Sequence, residues 1–152
     1  ELHCELLRDL QAQLQELTDF SGLTSADHPQ QRQLAGEIFA RLPCMIENLG
    51  QLRAISTHAA ARQECITAFR LHLQYLLHQL SVQGSDLTGK STQDPSLALR
   101  IGDIVAMIRR EILESESISV GPEQLYRAVT QVMEDCYTNI DGGIKELGRA
   151  HR

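Results

Sequence analysis

The sequence predicts an all-α fold, an antiparallel bundle of about five helices in a single domain that spans residues 1–152. Apolar side chains recur every three or four residues along most of the chain, which places them on one face of a helix. No segment alternates apolar and polar residues in the way that a half-buried strand does. The connections between the helical patterns suit helices that are antiparallel neighbours.

The first helical pattern covers residues 1–20. Its leucines share one face, and Gln, Arg, Asp and Glu lie between them, which is the arrangement of an amphipathic helix. The segment 21–29 is dense in residues that break helices and predicts a loop. The leucines of this face are Leu6, Leu7, Leu10, Leu14 and Leu17.

The second helical pattern begins near Pro29 or Gln30 and keeps its phase across Pro43. An interior proline removes an amide donor and crowds the preceding turn, at a cost of about 3 kcal/mol. Two alternatives therefore stay open, a helix kinked at Pro43 or two helices nearly in line. The apolar positions are Leu34, Ile38, Leu42, Met45, Ile46, Leu49 and Leu52.

The third helix is predicted over residues 58–82. It is either continuous with residues 44–57 or separate from them, because only mild breakers lie between the two. The segment 83–95 is the one long polar stretch and predicts a mobile loop. The seam that faces the core is Ile66, Phe69, Leu73, Leu76, Leu77 and Leu80.

Two further helices complete the predicted bundle. Asp94 followed by Pro95 is a good helix start, a side-chain cap followed by proline at the first helical position. The last helix starts near Pro122, and we expect the run Asp141-Gly142-Gly143 to break or fray it. The fourth helix has the face Leu97, Ile101, Ile104, Val105, Ile108 and Ile112, and the last has Leu125, Val129, Val132, Met133, Cys136, Ile140, Ile144 and Leu147.

Composition and charge disfavour several classes of function. The net charge is −6, and the basic residues are scattered, whereas a protein that binds nucleic acid usually shows a basic stripe. We therefore expect no nucleic-acid partner. No apolar stretch approaches the roughly 20 residues that span a bilayer, so no membrane span is expected either.

The four cysteines and the histidines suggest neither a metal site nor a redox motif. No two cysteines form a C-x-x-C pair, and zinc and redox sites use such close pairs. His58, Cys65 and His72 recur every seven residues, about 10.5 Å along a helix, which is too far apart for one metal ion. Reduced thiols and an intracellular, cytoplasmic location are expected, without cofactor or metal and with no set of catalytic residues.

One string matches a nucleotide-binding motif. The segment from Gly84 through Gly89 to Lys90 and Ser91 satisfies G-x-x-x-x-G-K-[ST], the P-loop pattern. A P-loop follows a buried strand and opens a helix, whose N-terminus faces the phosphates. Leucine-rich helix precedes this string and a polar connector follows it, so the segment also fits a flexible Gly/Ser/Thr loop.

Small residues form a stripe on the predicted fourth helix. Ala98, Gly102 and Ala106 recur every four residues, and a glycine inside an exposed helix costs about 1 kcal/mol relative to alanine. Such a glycine usually has a packing reason. The partner is either another helix of the same bundle or a second protein at a dimer seam or docking groove.

These patterns favour a non-enzymatic helical interaction or regulatory module that dimerises or docks a partner protein. The interface candidates are Ala98, Gly102 and Ala106. The alternatives are a bundle that senses a small ligand in an apolar pocket and, with less support, a nucleotide-binding protein that uses the 84–91 loop.

Overall fold

The computed structural model describes residues 6, 9, 10, 12–14, 16, 29–87, 94 and 96–150. The described positions between 6 and 16 are helical, and no strand occurs in the described part of the chain. Together these elements form an all-α bundle, which confirms the predicted fold class. The remaining helices are α1 (Pro29–Gly36), α2 (Leu42–Arg62), α3 (Thr67–Asp86), α4 (Leu97–Ile108) and α5 (Pro122–Ala150), with one-turn π-helices at Glu37–Arg41 and Arg109–Leu113. Within the described ranges, no helix combines the length and the apolar character needed to cross a membrane.

A π-helical turn decides between the two alternatives at Pro43. The backbone amide of Leu42 donates to the carbonyl oxygen of Glu37, five residues back instead of four. The hydrogen-bond register therefore shifts by one residue beside the proline, which has no amide to donate. Residues 29–62 consequently form one continuous helix with a π-helical turn just before Pro43.

The break between α2 and α3 lies at Gln63, so the predicted helix over 58–82 is wrong at both ends. Gln63 adopts a left-handed φ of 53°. Its amide donates to Ala60 O at 3.2 Å, and the amide of Glu64 donates to Ala59 O at 3.1 Å, which is the Schellman motif that ends helices. At the other end α3 continues to Asp86, so residues 83–86 of the predicted loop are helical.

The core lies between α2, α3, α4 and α5, and most of the predicted apolar faces are buried in it. All six predicted residues of α4 and its π-helical extension are buried. Several predicted apolar positions are not buried: Ile66 and Ile144 are exposed, as are the described leucines of the first predicted face, Leu6, Leu10 and Leu14. Four others are only half-buried, Leu34, Phe69, Met133 and Ile140. The largest fully buried side chains are Ile38, Met45, Leu49, Leu52, Leu73, Leu76, Leu77, Leu80, Leu87, Leu97, Ile101 and Ile108.

The helix α5 runs unbroken through Gly142 and Gly143, contrary to the predicted break. A Cβ atom added to Gly143 would lie 2.8 Å from Ile38 Cγ1 and closer still to Ile38 Cδ1. Gly143 therefore lets the first turns of the long helix approach α5 closely. Ala35, Ile38 and Leu147 form a small buried cluster at this contact.

Candidate functional site

The predicted small-residue stripe lies at the surface of α4. Ala98 is half-buried and packs against the core, whereas Gly102 and Ala106 are exposed. A Cβ atom placed on Gly102 would meet no atom within 4 Å. No helix of the described part therefore packs on Gly102.

A large apolar side chain accompanies the small residues on α4. Leu99 is 71% exposed. It precedes Gly102 by three residues and Ala106 by seven, and residues at these spacings share one side of a helix. The buried residues Ile101 and Ile108 point the other way, into the core. The outward side of α4 thus presents a leucine beside two small residues.

A second apolar row lies on the outward side of α3. Leu71, Tyr75 and Val82 are 63%, 58% and 49% exposed, and their spacings of four and seven residues place them on one side of the helix. From the sequence, only the buried seam of this helix was predicted. The same spacing rule, applied to Leu71, Tyr75 and Val82, is the signal that could have identified the second row.

The helices α3 and α4 lie side by side and antiparallel. Near the end of α3, a Cβ atom on Gly84 would lie 3.4 Å from Ile101 Cγ2, in the first half of α4. Near the start of α3, Arg70 Nη1 donates to the carbonyl oxygen of Leu113 at 2.6 Å, just beyond α4. The two rows consequently lie on neighbouring helices. We call them the α3–α4 outer face, which consists of Leu71, Tyr75, Val82, Leu99, Gly102 and Ala106.

Charged side chains lie beside the apolar residues of this face. Asp103 and Arg110 are exposed and follow Leu99 and Ala106 by four residues each. Arg110 Nε pairs with Glu111 at 2.8 Å. Exposed apolar side chains with charged side chains beside them have the composition of a protein-protein interface. The α3–α4 outer face is therefore the candidate functional site.

The P-loop candidate does not have the structural context that the motif requires. Gly84 is buried within the last turns of α3, where it packs on Ile101. A helix consequently stands where a P-loop needs a strand, and the first glycine is helical instead of opening the phosphate loop. Gly89, Lys90 and Ser91 lie outside the described residues.

Cys136, His58 and His72 lie in structural surroundings. Burial raises the pKa of the Cys136 thiol to about 12, so this thiol stays protonated and behaves as a small apolar side chain. The rings of His58 and Phe69 meet edge to face at 5.5 Å, and His72 Nε2 lies 3.1 Å from Gln51 Oε1. In the described ranges, no three His, Cys, Asp or Glu residues group in a way that could hold a metal ion.

Two surface clefts contain ion pairs. In a cleft of about 460 Å³, the buried carboxylate of Glu37 accepts a hydrogen bond from Arg41 Nη1 at 2.9 Å. Cys44 lies in the same cleft, and its sulfur accepts a hydrogen bond from Gln83 Nε2 at 3.4 Å. Arg41 already neutralises the carboxylate of Glu37, so Glu37 does not offer a free negative charge to a ligand in this cleft.

The second cleft, of about 210 Å³, lies at the start of α4 and is lined by Asp94 and Asp135 among others. Arg100 joins these two carboxylates, with Nη2 at 2.5 Å from Asp94 Oδ2 and Nε at 2.7 Å from Asp135 Oδ2. Asp94 also accepts hydrogen bonds from the hydroxyl and amide of Ser96. The hydrogen bonds from Ser96 and Arg100 lower the pKa of Asp94 to about 2. This network ties the start of α4 to α5.

Comparison with known protein families, with curated proteins and with solved structures gave no match.

Proposed function

We propose that this chain is a non-enzymatic interaction module that docks a partner protein on the α3–α4 outer face. The observation that carries the proposal is the exposure of four large apolar side chains, Leu71, Tyr75, Val82 and Leu99, on two adjacent helices. Single exposed apolar residues are ordinary on protein surfaces, whereas several of them in rows on two neighbouring helices are the kind of surface that interaction sites use.

The shape of this face favours an amphipathic helix as the partner element. From Leu71 to Val82 the row extends about 16 Å along α3, which matches about three turns of a docked helix. Helices that dock in this way anchor through apolar residues at i, i+3 or i+4, and i+7. Gly102 and Ala106 leave room beside Leu99 for such anchors, and Asp103 and Arg110 supply polar contacts at the border.

The two alternative functions receive less support. A small-ligand site usually combines an apolar pocket with a few polar groups that orient the ligand, whereas the carboxylates in the two clefts described above are already paired with arginines. A nucleotide site in residues 84–91 would have to begin at Gly84, which is helical and buried. The folding of the described helices does not account for the exposed apolar side chains of the α3–α4 outer face.

Surface variants of the full chain test the proposal. Tyr75→Lys and Leu99→Lys place a charge within the face, and Gln124→Lys makes the same change at an exposed position on α5. We expect tagged wild-type chain and Gln124→Lys to enrich the same protein from cells of the source organism, and the two face variants to lose it. A purified candidate is then titrated against all four chains by calorimetry.

The expected loss of affinity is at least about tenfold for each face variant, because burial of a leucine or tyrosine side chain supplies about 1.5–3 kcal/mol. Urea unfolding of each variant shows whether the fold is intact. If the purified partner binds Tyr75→Lys and Leu99→Lys as tightly as the wild type, the α3–α4 outer face is not its docking site.

A further inference from the structure

A further cleft, of about 310 Å³, lies between α3 and the end of α4. Leu77 is buried and gives this cleft an apolar wall, whereas Gln74 and Arg109 are exposed and carry hydrogen-bond donors. The cleft therefore combines apolar contact with groups that can bind an anion. Its described lining residues are Gln74, Leu77, Arg109, Leu113 and Glu114.

Arg109 differs from the arginines beside it in having no partner among the described residues. Arg70 Nη1 donates to a main-chain carbonyl oxygen at 2.6 Å, and Arg110 Nε pairs with Glu111 at 2.8 Å. In the part of the chain that the structure describes, the guanidinium of Arg109 makes no hydrogen bond and no ion pair. Glu114 lines the same cleft without pairing with it, so the positive charge of Arg109 is left for a molecule outside the chain.

Arg109 continues the small-residue row of the α3–α4 outer face. It follows Ala106 by three residues and Gly102 by seven, and these spacings put the three residues on one side of α4. The presence of Gln74 in the same cleft shows that this side is turned toward α3. A helix that lies on Gly102 and Ala106 consequently brings its next turn over Arg109.

From these observations we propose that the docked helix carries an acidic side chain, Asp or Glu, one turn from the residue that contacts Ala106, and that Arg109 binds its carboxylate. A guanidinium presents a planar set of N–H donors that matches a carboxylate, and Gln74 can add an amide donor. This assignment rests on the proposed docking function and names the chemistry of the partner, apolar anchors followed by an acid. Arg109 then rejects helices with Lys or Arg at that position, because like charges brought together at an interface are unfavourable.

The acidic side chain of a docked helix suits this cleft better than a free anion does. Arg109 is exposed, and a single exposed charge binds a small anion weakly because water and salt screen it. A carboxylate on a helix that is already anchored by Leu99 and Ala106 is held beside Arg109 at a high effective concentration. The cleft thus gains its specificity from its position at the end of the apolar face.

Selection of helical peptides on the full chain tests the proposal without a known partner. A displayed library keeps apolar anchors at i, i+4 and i+7 and randomises the other positions. We expect the wild type to enrich Asp or Glu at one fixed distance from the anchors, Arg109→Glu to enrich Lys or Arg at that same distance, and Leu99→Lys to enrich neither. The matched control is Arg149→Glu, the same change at an exposed position on α5, which should enrich the same peptides as the wild type.

Calorimetry with one selected, synthesised peptide measures the contribution of Arg109. We expect Arg109→Gln to raise the dissociation constant about two- to fivefold, as is usual for an exposed ion pair. A peptide in which the acid is replaced by its amide should bind the wild type and Arg109→Gln equally, since the pair is then already absent. Salt at about 1 M should reduce the difference between the two chains for the acidic peptide.

The possible failures are distinguishable. Selected peptides that depend on Leu99 but show no acidic preference contradict the role of Arg109 and leave the docking function standing. Peptides that Leu99→Lys retains, or a wild type that enriches none, count against both proposals. Acetate or inorganic phosphate that binds the wild type as tightly as the peptide does, and is lost in Arg109→Gln, assigns the cleft to a free anion instead. Urea unfolding of each variant checks that its fold is intact.

Discussion

The two glycines Gly102 and Gly143 provide the sharpest test of the packing described above. Both lie inside α-helices, and replacement of either by alanine adds a single Cβ atom. At Gly102 that atom meets nothing within 4 Å, whereas at Gly143 it lies 2.8 Å from Ile38 Cγ1 and closer still to Cδ1. The two variants therefore share the same backbone effect and differ in the contacts of the new atom, which at Gly143 meets Ile38 and, at 3.4 Å, Leu34 Cδ1.

The expected magnitudes follow from these distances. Alanine is favoured over glycine by about 0.8–1 kcal/mol in a helix interior, and at Gly102 this gain in the free energy of unfolding should be seen in full. At Gly143 the new atom enters a site where Ile38 is only 2% exposed, and overpacking of a core costs about 1–3 kcal/mol. Gly143→Ala should therefore change stability by between about zero and a loss of about 2 kcal/mol.

Urea unfolding followed by circular dichroism at 222 nm measures both variants, and the midpoints are compared at a constant m-value. Gly143→Ala should unfold at a lower urea concentration than Gly102→Ala. Ile38→Val should lower the free energy of unfolding less in the Gly143→Ala background than in the wild type, because it removes the crowded Cδ1 atom. Equal stabilisation by the two alanine variants would refute the close approach of α5 to Ile38.

Three further predictions concern single residues. Asp94 has a pKa of about 2 in the folded chain, below its ordinary value of 3.8. Its contribution to stability is therefore present above pH 3.8 and is lost as the pH falls toward 2. The difference in urea midpoint between the wild type and Asp94→Asn should shrink over this range. Cys136 is fully buried, and we expect iodoacetamide at pH 8 to leave it unmodified by mass spectrometry until urea unfolds the chain. Gln63→Gly should raise the free energy of unfolding by about 0.5–1 kcal/mol, since glycine adopts a left-handed φ without the steric cost that other residues incur. Gln63→Val introduces a β-branched side chain at this position and should lower the urea midpoint.

The helices themselves could be predicted because the spacing of apolar residues along the chain indicates which side of each helix is buried. The faces of α4 and α5 are buried at Leu97, Ile101, Leu125 and Val129 as predicted, and the start of α5 at Pro122 is confirmed. These features depend on local spacing alone. For that reason the sequence suffices to determine them.

The helix ends and breaks could not be predicted, because tertiary contacts override the local signals. Gly142 and Gly143 usually weaken a helix, but here Gly143 is the contact that admits Ile38. Gln63 ends α2 in a left-handed conformation, although glutamine is not a residue that marks such an end. Pro43 is accommodated by a π-helical turn, which no residue pattern in the sequence indicates.

The candidate site could be predicted only in part. The stripe of Ala98, Gly102 and Ala106 directed attention to α4, and two of these residues lie at the surface. The neighbouring row on α3 escaped prediction because Leu71 and Tyr75 alternate with the stronger buried seam of the same helix. Which of the two apolar rows faces the core depends on how α3 packs on α2 and α4, and a single sequence does not contain that information.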